Sequence, residues 1–68
     1  MTKFSEKLKE LRLEKGFNQR ELATELGYSQ PAIARWETNL QIPNIEVLAK
    51  VATYFNVSAD YLLGINDY

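Results

Sequence analysis

Residues 18–37 read NQRELATELGYSQPAIARWE, and this stretch decides the fold. Asn18 is a favourable N-cap residue, and Glu21 three positions later completes the pattern of a capping box at a helix start. Gly27 suits the left-handed position that commonly ends a helix. Ser29, two residues further on, can cap a second helix. The stretch therefore predicts two short helices joined by a tight turn.

The two predicted helices, at about Gln19–Leu26 and Gln30–Thr38, each have an apolar face. The residues expected to pack inward are Leu22, Ala23, Leu26, Ile33 and Trp36. Two helices joined by a turn of about three to four residues that contains Gly form a helix-turn-helix, whose second helix enters the major groove of DNA. The spacing therefore predicts DNA binding. Because Trp36 lies at core spacing beside Ile33, we expect it in the core rather than stacked on a ligand.

Three further helices are predicted outside this pair, at about Lys3–Lys15, Ile45–Phe55 and Ala59–Leu63. In the first two of these, apolar residues recur at helical spacing, namely Phe4, Leu8 and Leu11, then Ile45, Leu48, Val51, Ala52 and Phe55. No run alternates apolar and polar residues over a length that would predict a strand. We therefore expect an all-α fold of five helices, with residues 1–68 forming a single domain.

The composition is that of a small globular domain, and it excludes several classes of protein. The chain has 68 residues, of which 46% are hydrophobic and 25% charged, so there is room for one core and no second. It contains no Cys and no His, which removes disulfides, the commonest metal ligands and the usual acid–base residue. We therefore expect no enzyme, no metal and no cofactor, and no small-molecule ligand is evident.

The sequence also lacks the segments that would direct a chain to a membrane. No apolar run approaches the roughly 20 residues of a membrane span. The segment Met1–Lys15 has no apolar centre of the kind found in signal peptides. A cytoplasmic protein with no membrane partner is the simplest expectation.

The net charge of −1 conceals an uneven distribution of basic residues. Seven of the eight lie in the first 35 positions, namely Lys3, Lys7, Lys9, Arg12, Lys15, Arg20 and Arg35. Beyond them the only basic residue is Lys50. The predicted helix pair thus lies in the more electropositive half of the chain. This charge distribution permits DNA binding but does not argue for it, since DNA-binding domains are usually strongly basic.

The residues also resemble a known family. The pattern NQxELAxxLGxSQxxIxxWE in residues 18–37 is similar to the Cro/repressor (Cro/C1) type of helix-turn-helix, the small transcriptional regulators of bacteria and phages. The resemblance extends from about Phe4 to Gly64, with LKELRLEKG before the pattern and IPN, IEVLAKVATYF and NVSADYLLG after it. It implies a five-helix, phage-repressor-like DNA-binding domain. Such a protein would be a repressor that binds a near-palindromic operator in double-stranded DNA as a homodimer.

Gln30, Pro31 and Arg35 are the candidates for reading bases. A Gln amide matches the N6 and N7 atoms of adenine, and an Arg fork matches O6 and N7 of guanine. In the family that this sequence resembles, residues at these three positions read bases. Pro31 departs from the more usual polar residue and offers only apolar contact, because proline has no N–H donor. The alternative is that Gln30 and Arg35 are ordinary solvated residues on an outer face.

The candidates for contacting DNA phosphates lie at the helix ends. The free N–H groups and the positive dipole end of a helix N-terminus favour phosphate. The resemblance implies that Gln19 contacts phosphate and also supports Gln30. It gives the same backbone-contact role to Asn18 and Thr38, and it places Ser29 at the edge of the groove, near a phosphate or a thymine methyl group. For Asn18 the alternative is pure helix capping, and one side chain could serve both roles.

The resemblance implies two further sets of residues with structural roles. Arg12 and Glu37 correspond to an ion pair that joins the first and third helices and fixes the orientation of the reading helix. Apolar and aromatic residues near the C-terminus would form the dimer contact, with Tyr61 and Ile65 as the main candidates, and Tyr54 and Tyr68 lie in the same part of the chain. The loop before the fourth helix often shares in that contact.

Two other functions stay open from the sequence. The chain could be a protein-interaction module, such as an antitoxin that neutralises a partner and binds DNA secondarily. It could also be the DNA-binding part of a longer repressor. An exposed apolar surface near the C-terminus would favour the first of these alternatives.

Overall fold

The structure, a computed structural model, describes residues 3–65 and contains five α-helices. They are α1 (Phe4–Glu14), α2 (Gln19–Leu26), α3 (Gln30–Glu37), α4 (Ile45–Phe55) and α5 (Ala59–Leu63), with no strand among the described residues. The bounds of α2, α4 and α5 are the predicted ones. The ends of α1, and the C-terminal end of α3, lie one residue inside the predicted bounds. The all-α prediction is confirmed.

Side-chain caps start four of the helices, as the sequence predicts. Asn18 Oδ1 accepts from the backbone N–H of Glu21 at 2.8 Å, and the Asn18 N–H donates to the Glu21 carboxylate at 2.8 Å. The caps of the later helices are Ser29, Asn44 and Ser58, each accepting from the N–H three residues on. A cap of this kind stabilises a helix by about 1 kcal/mol. The boundaries of these short helices are thus set by local chemistry.

The end of α3 is a Schellman motif, in which the chain reverses over the last helical turn. Asn39 has a left-handed backbone with φ of 61°. Its N–H donates to the Trp36 carbonyl at 3.3 Å, and the Leu40 N–H donates to the Arg35 carbonyl at 2.9 Å. These two bonds are the pair that defines the motif. They fix the start of the loop 38–44 against the end of α3.

One hydrophobic core joins all five helices. Its residues are Phe4, Leu8, Leu11, Leu22, Ala23, Leu26, Ile33, Trp36, Val47, Val51 and Leu62. The helix α3 packs against both α1 and α2, while α5 packs against α1 and α4. The helix α3 is therefore held from two sides, which leaves its opposite face to solvent.

The apolar face of α4 differs from the prediction at its first residue. Ile45 is 83% exposed, whereas Val47 and Val51 are buried. Side chains in a helix tilt toward its N-terminus, so that of the first residue points past the helix end rather than onto the core. The buried face is therefore centred on Val47 and Val51, and the predicted Leu48 is only partly buried against them.

Trp36 anchors α3 in the core, as expected from its spacing. It is 6% exposed and lies edge-on to Tyr28, with ring centroids 5.2 Å apart and an interplanar angle of 88°. The ammonium group of Lys50 lies 5.0 Å above the Tyr28 ring. Tyr28, expected to be an ordinary surface residue, is instead half-buried between the turn and α4. The Trp36 indole N–H is buried and has no hydrogen-bond partner among residues 3–65.

No helix within residues 3–65 is long and apolar enough to cross a membrane. The same residues contain no group of three or more His, Cys, Asp or Glu side chains placed to hold a metal ion.

Candidate nucleic-acid interface

The outer face of α3 presents the three predicted base-reading residues together. Gln30, Pro31 and Arg35 are exposed, while Ile33 and Trp36 on the opposite face are buried. Pro31 lies in the first turn of the helix, where the missing N–H would have had no intrahelical partner. The face assignment made from spacing is therefore right, and the helix projects Gln30 and Arg35 from one surface.

A buried ion pair lies directly beneath this face. Arg12 Nε donates to Glu37 Oε2 at 2.7 Å, and Arg12 Nη2 donates to Glu37 Oε1 at 3.0 Å. The remaining Nη1 donates to the backbone carbonyl of Phe17 at 2.8 Å. Both side chains are almost fully buried. The expected pair of Arg12 and Glu37 is thus present, and it ties α1 to the last turn of α3 and to the start of α2.

The ion pair continues to the surface through two glutamines. Gln19 Nε2 donates to Glu37 Oε1 at 3.1 Å, and Gln30 Nε2 donates to Gln19 Oε1 at 2.7 Å. An ionised carboxylate can only accept hydrogen bonds, so Glu37 requires the NH₂ end of Gln19. Gln19 then presents its carbonyl, which in turn requires the NH₂ end of Gln30. The charge on Glu37 therefore fixes the orientation of both amides.

This orientation determines what Gln30 offers to a ligand. Its carbonyl oxygen and its second N–H stay available at the surface, since one N–H is held by Gln19. An acceptor and a donor side by side match the N6 and N7 edge of adenine in the major groove. The predicted support of Gln30 by Gln19 is present as a 2.7 Å hydrogen bond.

Arg35 is held from a different direction, by a residue that the sequence analysis did not single out. Its Nε donates to Oε1 of Gln41, in the loop 38–44, at 3.0 Å. Both side chains are exposed. The two Nη atoms of Arg35 have no partner within residues 3–65 and point their N–H groups to solvent. No periodic pattern marks Gln41, because it lies in a loop; its proximity follows from the Schellman turn at Asn39.

The predicted phosphate contacts differ in what their side chains can still donate. Asn18 and Ser29 use their oxygens as acceptors for helix capping, which leaves an amide NH₂ and a hydroxyl proton for DNA. Thr38 donates its hydroxyl to the carbonyl of Ala34 at 2.8 Å. A hydroxyl has a single proton, so Thr38 can donate to phosphate only after this bond breaks. Asn18 and Ser29 are thus better placed for that role.

The two predicted dimer residues have different environments. Tyr61 is half-buried in its own chain, with the ammonium group of Lys7 4.6 Å from the ring centre. Ile65 is 70% exposed. Tyr54 donates its hydroxyl to Glu25 at 3.1 Å, and partial burial followed by that hydrogen bond raises the pKa of Tyr54 above its usual value. Tyr68 lies outside the described residues.

A second exposed apolar group lies in and after the loop 38–44. It consists of Leu40, Ile42 and Ile45, which are 79%, 72% and 83% exposed. Leu40 and Ile42 were not among the residues singled out from the sequence, and Ile45 was expected on the buried face of α4. The signal was present, since the segment carries large apolar side chains and no Lys or Arg. An apolar loop without charge is typical of a surface that becomes covered.

Comparison of the sequence identifies related regulators. A family model described as helix-turn-helix matches residues 8–62. The chain is 41% identical over 61 residues to the HTH-type transcriptional activator BcrR of Enterococcus faecalis, covering 90% of this chain and 30% of that protein. It is 36% identical over 58 residues to the HTH-type transcriptional regulator ImmR of Bacillus subtilis, covering 85% and 46%. The chain thus spans less than half the length of these two relatives.

Comparison of the structure identifies the same kind of domain. The P22 c2 repressor protein, solved in complex with a synthetic operator, superposes with a TM-score of 0.85 at 29% identity, covering 97% of this chain and all of that one. The N-terminal DNA-binding domain of SinR from Bacillus subtilis gives a TM-score of 0.79 at 36% identity, covering 88% of each chain. The five-helix arrangement is therefore that of phage-repressor DNA-binding domains.

Proposed function

Because the chain belongs to the Cro/C1-type helix-turn-helix family of DNA-binding transcriptional regulators, we propose that it binds a specific operator in double-stranded DNA. In this proposal α3 lies in the major groove, and two copies bind the halves of a near-palindromic site. Bound protein excludes other proteins from that site, so the regulator acts as a repressor. Such a protein works in the cytoplasm, where its operator is.

The observation that carries the proposal is a hydrogen-bonded network of four side chains, in the order Arg12, Glu37, Gln19 and Gln30. It runs from a buried ion pair to an exposed amide through hydrogen bonds of 2.7–3.1 Å. An exposed Gln on an ordinary solvated helix face needs no such support. Holding a side chain in one orientation before binding reduces the entropy that binding would otherwise cost. The network therefore supports a reading role for Gln30 over the solvated-face alternative.

The other two base-reading candidates complete the proposed contact. Arg35 presents its Nη groups to a guanine, whose O6 and N7 suit an Arg fork. Pro31 lies between the two polar residues and contributes an apolar surface. Apolar side chains in the major groove contact the methyl group of thymine. We therefore infer that each half-site contains an A·T pair under Gln30 and a G·C pair under Arg35.

Phosphate contacts would hold α3 in register. The start of α2 brings together backbone N–H groups and the side chains of Asn18 and Gln19, next to the start of α3 with Ser29. Gln19 has one N–H left for a phosphate after donating to Glu37. Because these donors are neutral, we expect few phosphate charges to be neutralised per subunit. Binding should then depend weakly on salt, since the slope of log affinity against log salt is about −0.9 per phosphate neutralised.

Pairing of two subunits would compensate for this weak contact. Ile65 and the group Leu40, Ile42 and Ile45 are the exposed apolar residues that support an interface. Tyr61 contributes through the part of its ring that is still exposed. Two half-sites would then lie about 34–36 Å apart, one helical turn of DNA.

Selection of bound duplexes from a random pool by the purified protein tests the proposal. We expect enrichment of a two-fold symmetric site with an A·T pair and a G·C pair at fixed positions in each half. Sedimentation of the complex should give two copies per duplex. Absence of any enriched sequence would contradict the function, and one copy bound per asymmetric site would contradict the dimer.

An Ile65→Asp variant separates dimer formation from folding. Ile65 is exposed, so the charge should leave the monomer folded and weaken binding to the selected duplex. Tyr61→Asp is a poorer choice, because Tyr61 is half-buried and would lose its packing with Lys7. If the variant has the same midpoint of thermal unfolding as the parent, its fold is intact.

A further inference from the structure

The hydrogen bond between Arg35 and Gln41 is a consequence of how α3 ends. The Leu40 N–H donates to the carbonyl of Arg35 at 2.9 Å. Gln41 is the next residue, so its backbone begins close to the residue whose side chain it contacts. The side-chain oxygen Oε1 of Gln41 then accepts from Arg35 Nε at 3.0 Å. Arg35 is thus tied to the loop 38–44 at both its main chain and its side chain.

This bond restricts how the guanidinium can meet a base. The guanidinium presents its N–H groups as a rigid fork. A guanine can be approached side-on, by Nε with one Nη, or end-on, by the two Nη atoms. Since Nε is already bound to Gln41, the end-on approach is the one that needs no rearrangement. An exposed Arg otherwise samples many rotamers, and restricting it to one of them on binding costs free energy.

We propose that Gln41 is a positioning residue that determines specificity through Arg35. It holds the guanidinium so that both Nη atoms face the guanine, and it thereby sets the strength of the preference for G·C at that position. The proposal rests on the proposed function, because it concerns the base pair that Arg35 reads. Gln41 would orient the side chain of Arg35 as Gln19 orients that of Gln30.

The test uses the duplex selected by the parent protein and competition binding against its single-base variants. Arg35→Ala first identifies the base pair that depends on Arg35. Gln41→Ala should then lower the preference at that same base pair by about three- to tenfold, the cost of ordering one long side chain on binding. Preferences elsewhere should not change. The control is Thr53→Ala, which removes an exposed polar side chain on α4 instead of in the loop 38–44. It should leave the preference at every base pair unchanged.

Two further variants separate positioning from a general effect of the loop. Gln41→Glu keeps an acceptor for Nε, so it should retain the preference while its charge lowers affinity for every duplex. In the double variant Arg35→Ala, Gln41→Ala, the second substitution should cause no further loss of preference, because residues that act through one contact are not additive. All variants should have the same midpoint of thermal unfolding as the parent, since both side chains are exposed.

Several results would overturn the proposal. Gln41→Ala with an unaltered preference at the Arg35 position would remove the positioning role. Loss at a different base pair would make Gln41 a direct reader, and equal loss for all duplexes would make it a backbone contact. A pool that yields no enriched duplex would instead overturn the proposed function, and the role of Gln41 with it.

Discussion

The two ends of α3 carry exposed side chains, Gln30 and Arg35, that are held in different ways. Gln30, at the first residue of α3, is held through Gln19 by an ion pair that is almost fully buried. Arg35, near the last turn, is held by an exposed glutamine in a loop. The first support is continuous with the core, and the second depends on one turn of backbone. Their stability and their tolerance of substitution should therefore differ.

The difference shows where rigidity in such a small domain comes from. A buried charge that loses its partner is costly, so the Arg12–Glu37 pair strongly resists change. An exposed hydrogen bond contributes little to folding, because water replaces it. The support of Arg35 by Gln41 can therefore vary at small cost in stability, whereas the ion pair that supports Gln30 cannot. Substitutions in each support make this comparison measurable.

Removal of Glu37 should have the largest effect. Glu37→Ala leaves the Arg12 charge buried and uncompensated, which destabilises by about 3–5 kcal/mol. For a chain of 68 residues this is a large part of the total stability. Chemical denaturation followed by circular dichroism measures the loss. Gln41→Ala is the control for the other support and should change stability by less than about 0.5 kcal/mol. Equal losses for the two variants would contradict the comparison.

Truncation of Arg35 should affect binding rather than folding. Arg35→Ala should cost about 1–3 kcal/mol of specific binding and relax the preference at one G·C position per half-site. The side chain is exposed, so the midpoint of thermal unfolding should stay that of the parent. Competition binding against single-base operator variants measures the effect. If the variant instead bound every sequence more weakly by the same factor, Arg35 would contact a phosphate and not a base.

Truncation of Gln19 removes the link between the ion pair and Gln30. Gln19→Ala leaves Arg12 and Glu37 paired but frees the Gln30 amide to rotate. We expect the preference for A·T under Gln30 to fall by about 0.5–1.5 kcal/mol, the cost of ordering one side chain on binding. The preference at the Arg35 position should not change, which the same competition assay checks. A fall at both positions would mean that the two ends of α3 are not supported independently.

The smallest effect is expected at Asn39, where the loop begins. Asn39→Gly keeps the left-handed backbone that the Schellman turn requires, so stability should stay within about 0.5 kcal/mol of the parent. The preference at the Arg35 position should also persist, because the turn still delivers Gln41. Asn39→Val is the matched opposite, since a β-branched residue strongly disfavours this conformation. If Asn39→Val left the Arg35 preference intact, the turn would not be what places Gln41.

Sequence reasoning predicted the features that depend on neighbours along the chain. Capping residues such as Asn18 and Ser29 act within three positions, so the helix bounds were readable to within one residue. The Arg12–Glu37 pair spans 25 positions and came only from the family resemblance. No local rule would have joined those two residues.

What the sequence analysis missed depends on geometry at the ends of helices. Ile45 fits the apolar period of α4 but points past its first turn, so periodicity misassigned it. Gln41 has no period, and its role follows from the reversal at Asn39. Tyr28 lies in the turn and belongs to no apolar period, so its packing against Trp36 could not be predicted from spacing.

The position of Trp36 gives the molecule an internal optical reporter. It is the only tryptophan in the chain and lies on the inner face of α3. Its indole is buried among apolar side chains, and its N–H is unpaired within residues 3–65, so fluorescence should be emitted at short wavelength while α3 is packed. Water reaching the ring would shift the emission to longer wavelength. Spectroscopy without any added dye can therefore follow the docking of this one helix.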